Sequence, residues 1–151
     1  METARSIALE KDFKDDIFQR VFQEPREEIM DDYVEFIPNA GACLATVNVL
    51  TEAGGVRWMV RENPHAPGDT GWLIMSSLDT SEYLDNPANS KVCNFNTVCM
   101  IEPALIGIWN FPVGSDLQIV RDAKRISVVD TPTGRIIPSE EFFVPPAWQR
   151  R

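Results

Sequence analysis

The first apolar pattern along the chain has the period of an α-helix. Within residues 9–23, large apolar side chains recur so that they share one side of a helix, with charged residues between them. Pro25 suits the first position of a second helix, where its missing N–H has no partner to lose. That second amphipathic helix is predicted to end at Pro38 and Gly41. The apolar positions of the first helix are Phe13, Ile17, Phe18, Val21 and Phe22.

Three β-prone segments follow, separated by glycine, proline and polar residues. Residues 43–50 and 56–60 are two of them, and Ala53-Gly54-Gly55 between them has the composition of a hairpin loop. A polar, proline-rich connection leads to a third strand at residues 71–75. Three neighbouring strands joined by short loops predict a mainly antiparallel sheet.

The second half of the chain has weaker signals. Residues 76–91 are predicted to form an acidic loop, and residues 92–100 could be a strand or a short helix, because periodicity alone cannot decide. Residues 103–109 indicate one short helix, and residues 131–134 a turn before a partly extended tail. One or two last strands are indicated by Leu117, Ile119, Ile126 and Val128.

Helices at one end of the chain and strands after them predict an α+β domain. We expect two N-terminal helices packed on a mainly antiparallel sheet of about four to six strands. The length of 151 residues and the 44% hydrophobic content suit a single globular domain with its own core.

The charge balance bears on the partner. The chain carries 23 acidic and 14 basic residues, which is a formal net charge of −9. Nucleic acids and anionic membranes bind to patches of Lys and Arg, so neither is expected as a partner. The balance favours a basic partner, although acidity is also typical of proteins that need only to stay soluble.

The cysteines and the first residues bear on the compartment. Cys43, Cys93 and Cys99 are an odd number, which is typical of a reducing environment. The first residues have no apolar core of a signal peptide, and no apolar run approaches the ~18–20 residues of a membrane span. We therefore expect a cytoplasmic protein.

Candidate catalytic residues are few. His65 is the one histidine, so a serine or cysteine activated by imidazole would have to use it. Neither a Gly-x-Ser-x-Gly elbow nor a phosphate-binding glycine loop occurs. We predict no catalytic residues and no cofactor, with a small hydrolase that uses a cysteine and His65, or the acidic cluster, as the alternative.

Metal ligands of usual spacing are also missing from the sequence. Cys93 and Cys99 have five residues between them, where a zinc knuckle has two to four. Asp79, Glu82 and Asp85 place carboxylates three residues apart, but the alternating ligands and central glycine of a calcium loop are absent. We predict no metal site and interpret these carboxylates as a solvated acidic face.

One segment combines aromatic and acidic residues, as many protein-binding patches do. It extends from the third predicted strand into the acidic loop, and its aromatic residues could instead belong to the core. The candidate partner-binding residues are Asp69, Trp72, Asp79, Glu82, Tyr83 and Asp85.

Several blocks in this order resemble a bacterial immunity-protein family of polymorphic toxin systems, the one numbered thirty-three, which was first catalogued as a domain of unknown function. The resemblance covers about residues 42–122. The blocks are Trp58-Met59-Val60-Arg61-Glu62-Asn63-Pro64, Gly71-Trp72, Met75-Ser76, Asp79, Glu82-Tyr83-Leu84-Asp85-Asn86-Pro87, Asn89, Asn94-Phe95-Asn96-Thr97-Val98, Ile101-Glu102-Pro103-Ala104-Leu105-Ile106 and Phe111-Pro112-Val113-Gly114-Ser115.

The resemblance implies a protein that binds a cognate toxin and blocks it without chemistry. It divides the chain into an N-terminal helical extension (residues 1–41), the family-like α+β core (residues 42–122) and a C-terminal strand, turn and tail (residues 123–151). The expected partner is a toxin domain, and an acidic inhibitor would be steered to a basic toxin. A regulatory or scaffold module without a toxin stays open as a further alternative, and so does a homo-oligomer.

Overall fold

The chain forms one six-stranded sheet in the computed structural model, which describes residues 34–146. The strand order is β4-β1-β3-β2-β5-β6. Four neighbouring pairs are antiparallel, and β1 with β3 is the parallel pair. The strands are β1 (Ala42–Thr46), β2 (Val56–Arg61), β3 (Asp69–Ser76), β4 (Ser90–Asn94), β5 (Asp116–Arg121) and β6 (Ile126–Asp130).

Short helices lie between the strands and after the last one. The α-helices are α1 (Val47–Leu50), α2 (Ser81–Leu84) and α3 (Phe95–Ile101), and 3-10 helices span Pro87–Asn89, Pro103–Ile108 and Ser139–Glu141. The mainly antiparallel sheet, the strands predicted at residues 56–60 and 71–75 and the last two strands are therefore confirmed. The helix predicted at residues 103–109 is also present, as a 3-10 helix.

The two predicted N-terminal helices lie almost entirely outside the described residues. Residues 34–37, assigned to the end of the second helix, form an irregular segment with bends instead, so this part of the prediction is wrong. Asn96 explains why. Its side chain accepts a hydrogen bond from the Ile37 N–H and donates one to the Ile37 carbonyl, each 3.0 Å long, which holds this backbone against α3.

The strand predicted over residues 43–50 is wrong in its second half. Thr46 ends β1 and caps α1, because its hydroxyl accepts a hydrogen bond from the Val49 N–H. Val49 then enters the core from the helix. Tertiary packing here overrides the β-propensity of Val47 and Val49.

The hairpin predicted around Ala53-Gly54-Gly55 is also wrong, because β3 lies between β1 and β2 in the sheet. The loop is held to the end of β3. The Ser76 hydroxyl donates to the Ala53 carbonyl at 2.7 Å, and the Ser77 hydroxyl donates to the Gly54 carbonyl at 2.6 Å.

The region left open between strand and helix contains both. β4 covers its start, and Asn94 then caps α3 by accepting a hydrogen bond from the Asn96 N–H. The predicted acidic loop likewise begins with the last residue of β3 and contains α2, the 3-10 helix Pro87–Asn89 and the first two residues of β4.

The apolar core lies on one face of the sheet, under α1, α3 and the 3-10 helix Pro103–Ile108. The central strand β3 is buried along its whole length. Its inward residues Trp72 and Ile74 belong to this core, while Leu73 and Met75, which alternate with them, are buried on the opposite face.

Candidate functional site

The segment predicted to bind a partner divides into a buried and an exposed part. Asp69 and Trp72 belong to β3 and are buried, whereas Glu82 and Asp85 are exposed on and just after α2. Asp79 and Tyr83 are half-buried. The six residues therefore do not form one continuous surface.

Asp69 organises the turn that leads into β3. Its side chain accepts hydrogen bonds from the His65 N–H at 2.7 Å and the Gly71 N–H at 2.8 Å. The Nδ1 atom of His65 lies 3.6 Å from the same carboxylate. Because these partners surround it inside the protein, Asp69 offers no carboxylate to a partner at the surface.

Trp72 is fully buried, which corrects its assignment to a binding surface. Its Nε1–H donates to the Trp109 carbonyl at 3.1 Å, so the polar edge of the ring is satisfied inside the core. Arg61 lies over the ring at 5.8 Å and donates to the carbonyls of Thr70 (2.7 Å) and Phe111 (2.6 Å). Burial lowers the pKa of Arg61, and the neighbouring Asp69 opposes that shift.

Asp79 supports the loop rather than standing free. One carboxylate oxygen accepts from the Ser76 N–H at 2.7 Å, and the other accepts from the Asn48 side chain at 2.8 Å. Thr80 then caps α2 through a hydrogen bond from the Tyr83 N–H. This arrangement fixes the direction in which α2 leaves the sheet.

The accessible part of the predicted segment is small. Glu82 and Asp85 point acidic groups to solvent, Tyr83 is partly accessible, and Leu78 in the preceding turn is 56% exposed. Leu84 is buried and anchors the turn. This acidic loop surface, formed by Leu78, Glu82, Tyr83 and Asp85, could steer and contact a partner.

Two of the three cysteines, Cys43 and Cys99, are buried and poorly suited to nucleophilic chemistry. The Sγ atoms of Cys43 and Cys93 face each other across β1 and β4 at 3.9 Å. The hydrogen bond with Cys93, and then burial, raise the pKa of Cys43 well above its ordinary value. Burial and then Cys93 raise the pKa of Cys99 to about 12. Thiols with raised pKa values hold little thiolate at neutral pH.

The described residues contain neither a cluster of metal-ligating side chains nor a helix that could span a membrane. Across residues 34–146, His, Cys, Asp and Glu side chains form no group of three or more that could hold a metal ion. None of the helices in this range is long and apolar enough to cross a membrane.

A second surface, which the sequence did not indicate, lies beside the edge strand β6. It is a groove of about 610 Å³ between the start of β6, the 3-10 helix Pro103–Ile108 and the segment that follows Ile136. Ile126 (50% exposed), Ile136 (52%) and Val144 (42%) line it. Large apolar side chains this accessible, gathered in one concave place, are typical of a binding surface.

Hydrogen bonds and ring contacts hold the floor of this groove, which we call the β6 groove, in place. Phe143 donates its backbone N–H to the Gly107 carbonyl at 2.8 Å, and its ring packs against Trp109 at 4.9 Å. A Cβ at Gly107 would lie 2.9 Å from the ring of Phe142, so the glycine lets that ring lie against the 3-10 helix. These contacts hold the C-terminal segment against the 3-10 helix Pro103–Ile108 and Trp109.

Comparison with known families gives one match. The family model of the Immunity protein Imm33 domain matches residues 43–129, which is more than half of the chain and extends from β1 into β6. No curated protein and no solved structure is significantly similar to the chain. The match confirms the family that the sequence blocks resemble, and the chain belongs to the Imm33 immunity protein domain family.

Proposed function

We propose that this chain is an immunity protein that binds a cognate bacterial toxin and neutralises it without catalysis. The observation that carries the proposal is membership of the immunity protein family over residues 43–129, which include almost the whole sheet. Immunity by binding requires accessible surface rather than reactive groups, and the chain offers the acidic loop surface and the β6 groove.

The properties of the cysteines support a binding protein over a hydrolase. Cys43 and Cys99 are buried thiols with raised pKa values, which makes them slow nucleophiles. His65 is held next to Asp69 at the turn before β3. The proposal also includes a cytoplasmic location, which three free cysteines support.

The net charge of −9 supports a basic toxin as the partner. Opposite charges accelerate the encounter of two proteins, and several toxin classes that attack nucleic acids must themselves be basic to bind their substrate. Glu82 and Asp85, both exposed, are the acidic groups of the predicted segment that could act in this way.

The proposed function is tested with a candidate toxin domain taken from a gene that neighbours the gene of this chain. We expect co-expression of the chain to restore growth of cells that make the toxin. In a purified toxin assay, inhibition should be complete at about one chain per toxin, because a binding inhibitor is consumed by its target. Complete inhibition at a far smaller ratio would indicate an enzyme, and absence of both binding and protection would reject the immunity role.

A further inference from the structure

We propose that the toxin docks on this chain by adding an extended, apolar strand to the open half of β6 and by filling the β6 groove beside it. This inference rests on the proposed function and assigns the surface that carries it. It places the main apolar contact away from the acidic loop surface.

The edge of β6 is half occupied by the chain itself. The Ile137 N–H donates to the Val128 carbonyl, and the Asp130 N–H donates to the Arg135 carbonyl, both at 2.8 Å, around a bridge between Val129 and Ile136. This edge therefore already accepts an antiparallel strand over its second half.

The first half of the same edge is open. The Asp122 N–H donates to the Arg125 carbonyl at the end of the β5–β6 ladder. Alternation along an antiparallel strand then points the backbone N–H and C=O groups of Ile126 and Val128 away from β5. Among the described residues, the N–H and C=O of Ile126 and the N–H of Val128 have no backbone partner. A row of such groups is a template for a further strand.

The side chains next to this open edge specify what kind of strand fits. Ile126, Ile136 and Val144 would be covered by apolar residues on one face of an added strand. Arg125 also lines the groove and is exposed. Its charge interacts with that of the neighbouring Asp122 but forms no ion pair with a described acid, so an acidic residue at that end of the strand would complement it. The occupant is therefore an apolar strand with an acidic residue at one end.

The two surfaces can serve one partner. Ser76 at the end of β3 lies opposite Val56 at the start of β2 in the sheet. The Arg121 side chain donates to the Val56 carbonyl, and Arg121 lies opposite Ile126 in the β5–β6 ladder. The acidic loop and the open edge therefore lie at the same end of the sheet. Three strand spacings, about 14 Å, separate β3, which leads into the acidic loop, from β6, and this span is within one interface of ordinary size.

Exposed apolar side chains give direct test variants. In binding to the toxin domain that the co-expression test identifies, Ile126→Lys and Ile136→Lys should each raise the Kd at least about ten-fold, mainly through faster dissociation. Val113→Lys is the matched control, because Val113 is 48% exposed and lies outside the groove. Its Kd should equal that of the wild type.

The strand pairing has a separate readout in amide hydrogen exchange. The amides of Ile126 and Val128 should exchange rapidly in the free chain and become protected in the complex. The inference would be overturned if the wild type binds the toxin, both Ile126→Lys and Ile136→Lys bind it with unchanged affinity, and the two amides gain no protection. The proposed function would then still stand. A wild type that does not bind at all would reject both.

Other occupants of the edge give distinct results. If the free chain is a dimer that Ile126→Lys dissociates, a second copy fills the edge. If removing residues 147–151 or residues 1–33 makes the Ile126 and Val128 amides exchange faster in the free chain, that segment of the chain fills the edge. Any of these results would overturn the inference, and a monomer whose exchange is unchanged by both truncations supports it.

Discussion

At the scale of single residues, the Asp69 carboxylate stabilises the turn before β3 by accepting two backbone N–H groups, from His65 and Gly71. In Asp69→Asn, an amide NH₂ replaces one of the two carboxylate oxygens, and it then faces a backbone N–H that also donates. We expect the free energy of unfolding to fall by about 1–3 kcal/mol in urea titrations. Asp85→Asn, at an exposed carboxylate, should change it by no more than about 0.5 kcal/mol. If Asp69→Asn and Asp85→Asn unfold at the same urea concentration, the hydrogen bonds of Asp69 do not stabilise the turn.

The buried thiols predict a pH dependence of stability. The pKa of Cys99 is raised to about 12, whereas an unfolded thiol ionises near about 8.5. Between these values the folded state keeps a proton that the unfolded state has lost, so the free energy of unfolding falls as pH rises. The slope approaches about 1.4 kcal/mol per pH unit for each such thiol.

Cys99→Ala isolates this contribution, because the other groups that titrate at high pH are common to both proteins. We expect the variant to be less stable at pH 7, since it leaves a cavity. Its stability should fall less steeply than that of the wild type from about pH 9 to pH 11. Parallel curves from chemical denaturation at each pH would show that this thiol does not titrate differently on folding.

At the scale of elements, the β2–β3 pair depends on one close approach. Gly71 has a φ of +89°, and a Cβ there would lie 1.9 Å from the Glu62 carbonyl oxygen. Gly71→Ala therefore requires both a strained backbone and separation of the strands, and we expect it to abolish folding or cost more than about 4 kcal/mol.

Gly134 is the matched control for that substitution. It has a φ of +78°, but nothing lies within 4 Å of the position of an added Cβ. Gly134→Ala should therefore cost only the backbone strain, about 1–2 kcal/mol, in thermal or urea unfolding. If both variants lose the same stability, the close contact with Glu62 is not what requires glycine at position 71.

The elements show which parts of the fold the sequence predicts. Strands with a strong apolar content, such as β2 and β3, are found where the pattern places them. The order of strands is not predicted, because the pattern of β1 does not reveal that its partner is the later strand β3. The turn at Thr46 is likewise missed, since residues 43–50 have β-propensity throughout and only the packing of Val49 favours the helix.

At the scale of the whole molecule, the sequence predicts the family and only part of the candidate site. Acidic residues in a loop are visible in sequence, and Glu82 and Asp85 are indeed exposed. Trp72 is not distinguishable from a surface aromatic until its indole is seen bonded to the Trp109 carbonyl. The β6 groove is built from segments near residues 104, 126 and 142, so no local pattern contains it. The domain limits at residues 41 and 122 stay predictions.

The acidity of the whole molecule leads to a last prediction about encounter with the toxin. If the net charge of −9 acts through the exposed acids of the acidic loop, the position of a charge should matter as well as the total. Glu82→Lys and Glu35→Lys change the net charge equally, and both residues are exposed. We expect Glu82→Lys to slow association with a basic toxin several-fold at low salt and to weaken its salt dependence, with dissociation little changed.

Glu35→Lys should have the smaller effect on association, because Glu35 precedes β1 and lies outside the acidic loop surface. The association rates of both variants and the wild type are measured by stopped flow at about 0.1 M and about 1 M salt, where the Debye length is about 10 Å and about 3 Å. Equal slowing by the two substitutions would mean that only the overall charge steers the encounter. If neither variant changes the rate, the acidity contributes to solubility instead, and binding depends on apolar contacts such as those offered by the β6 groove.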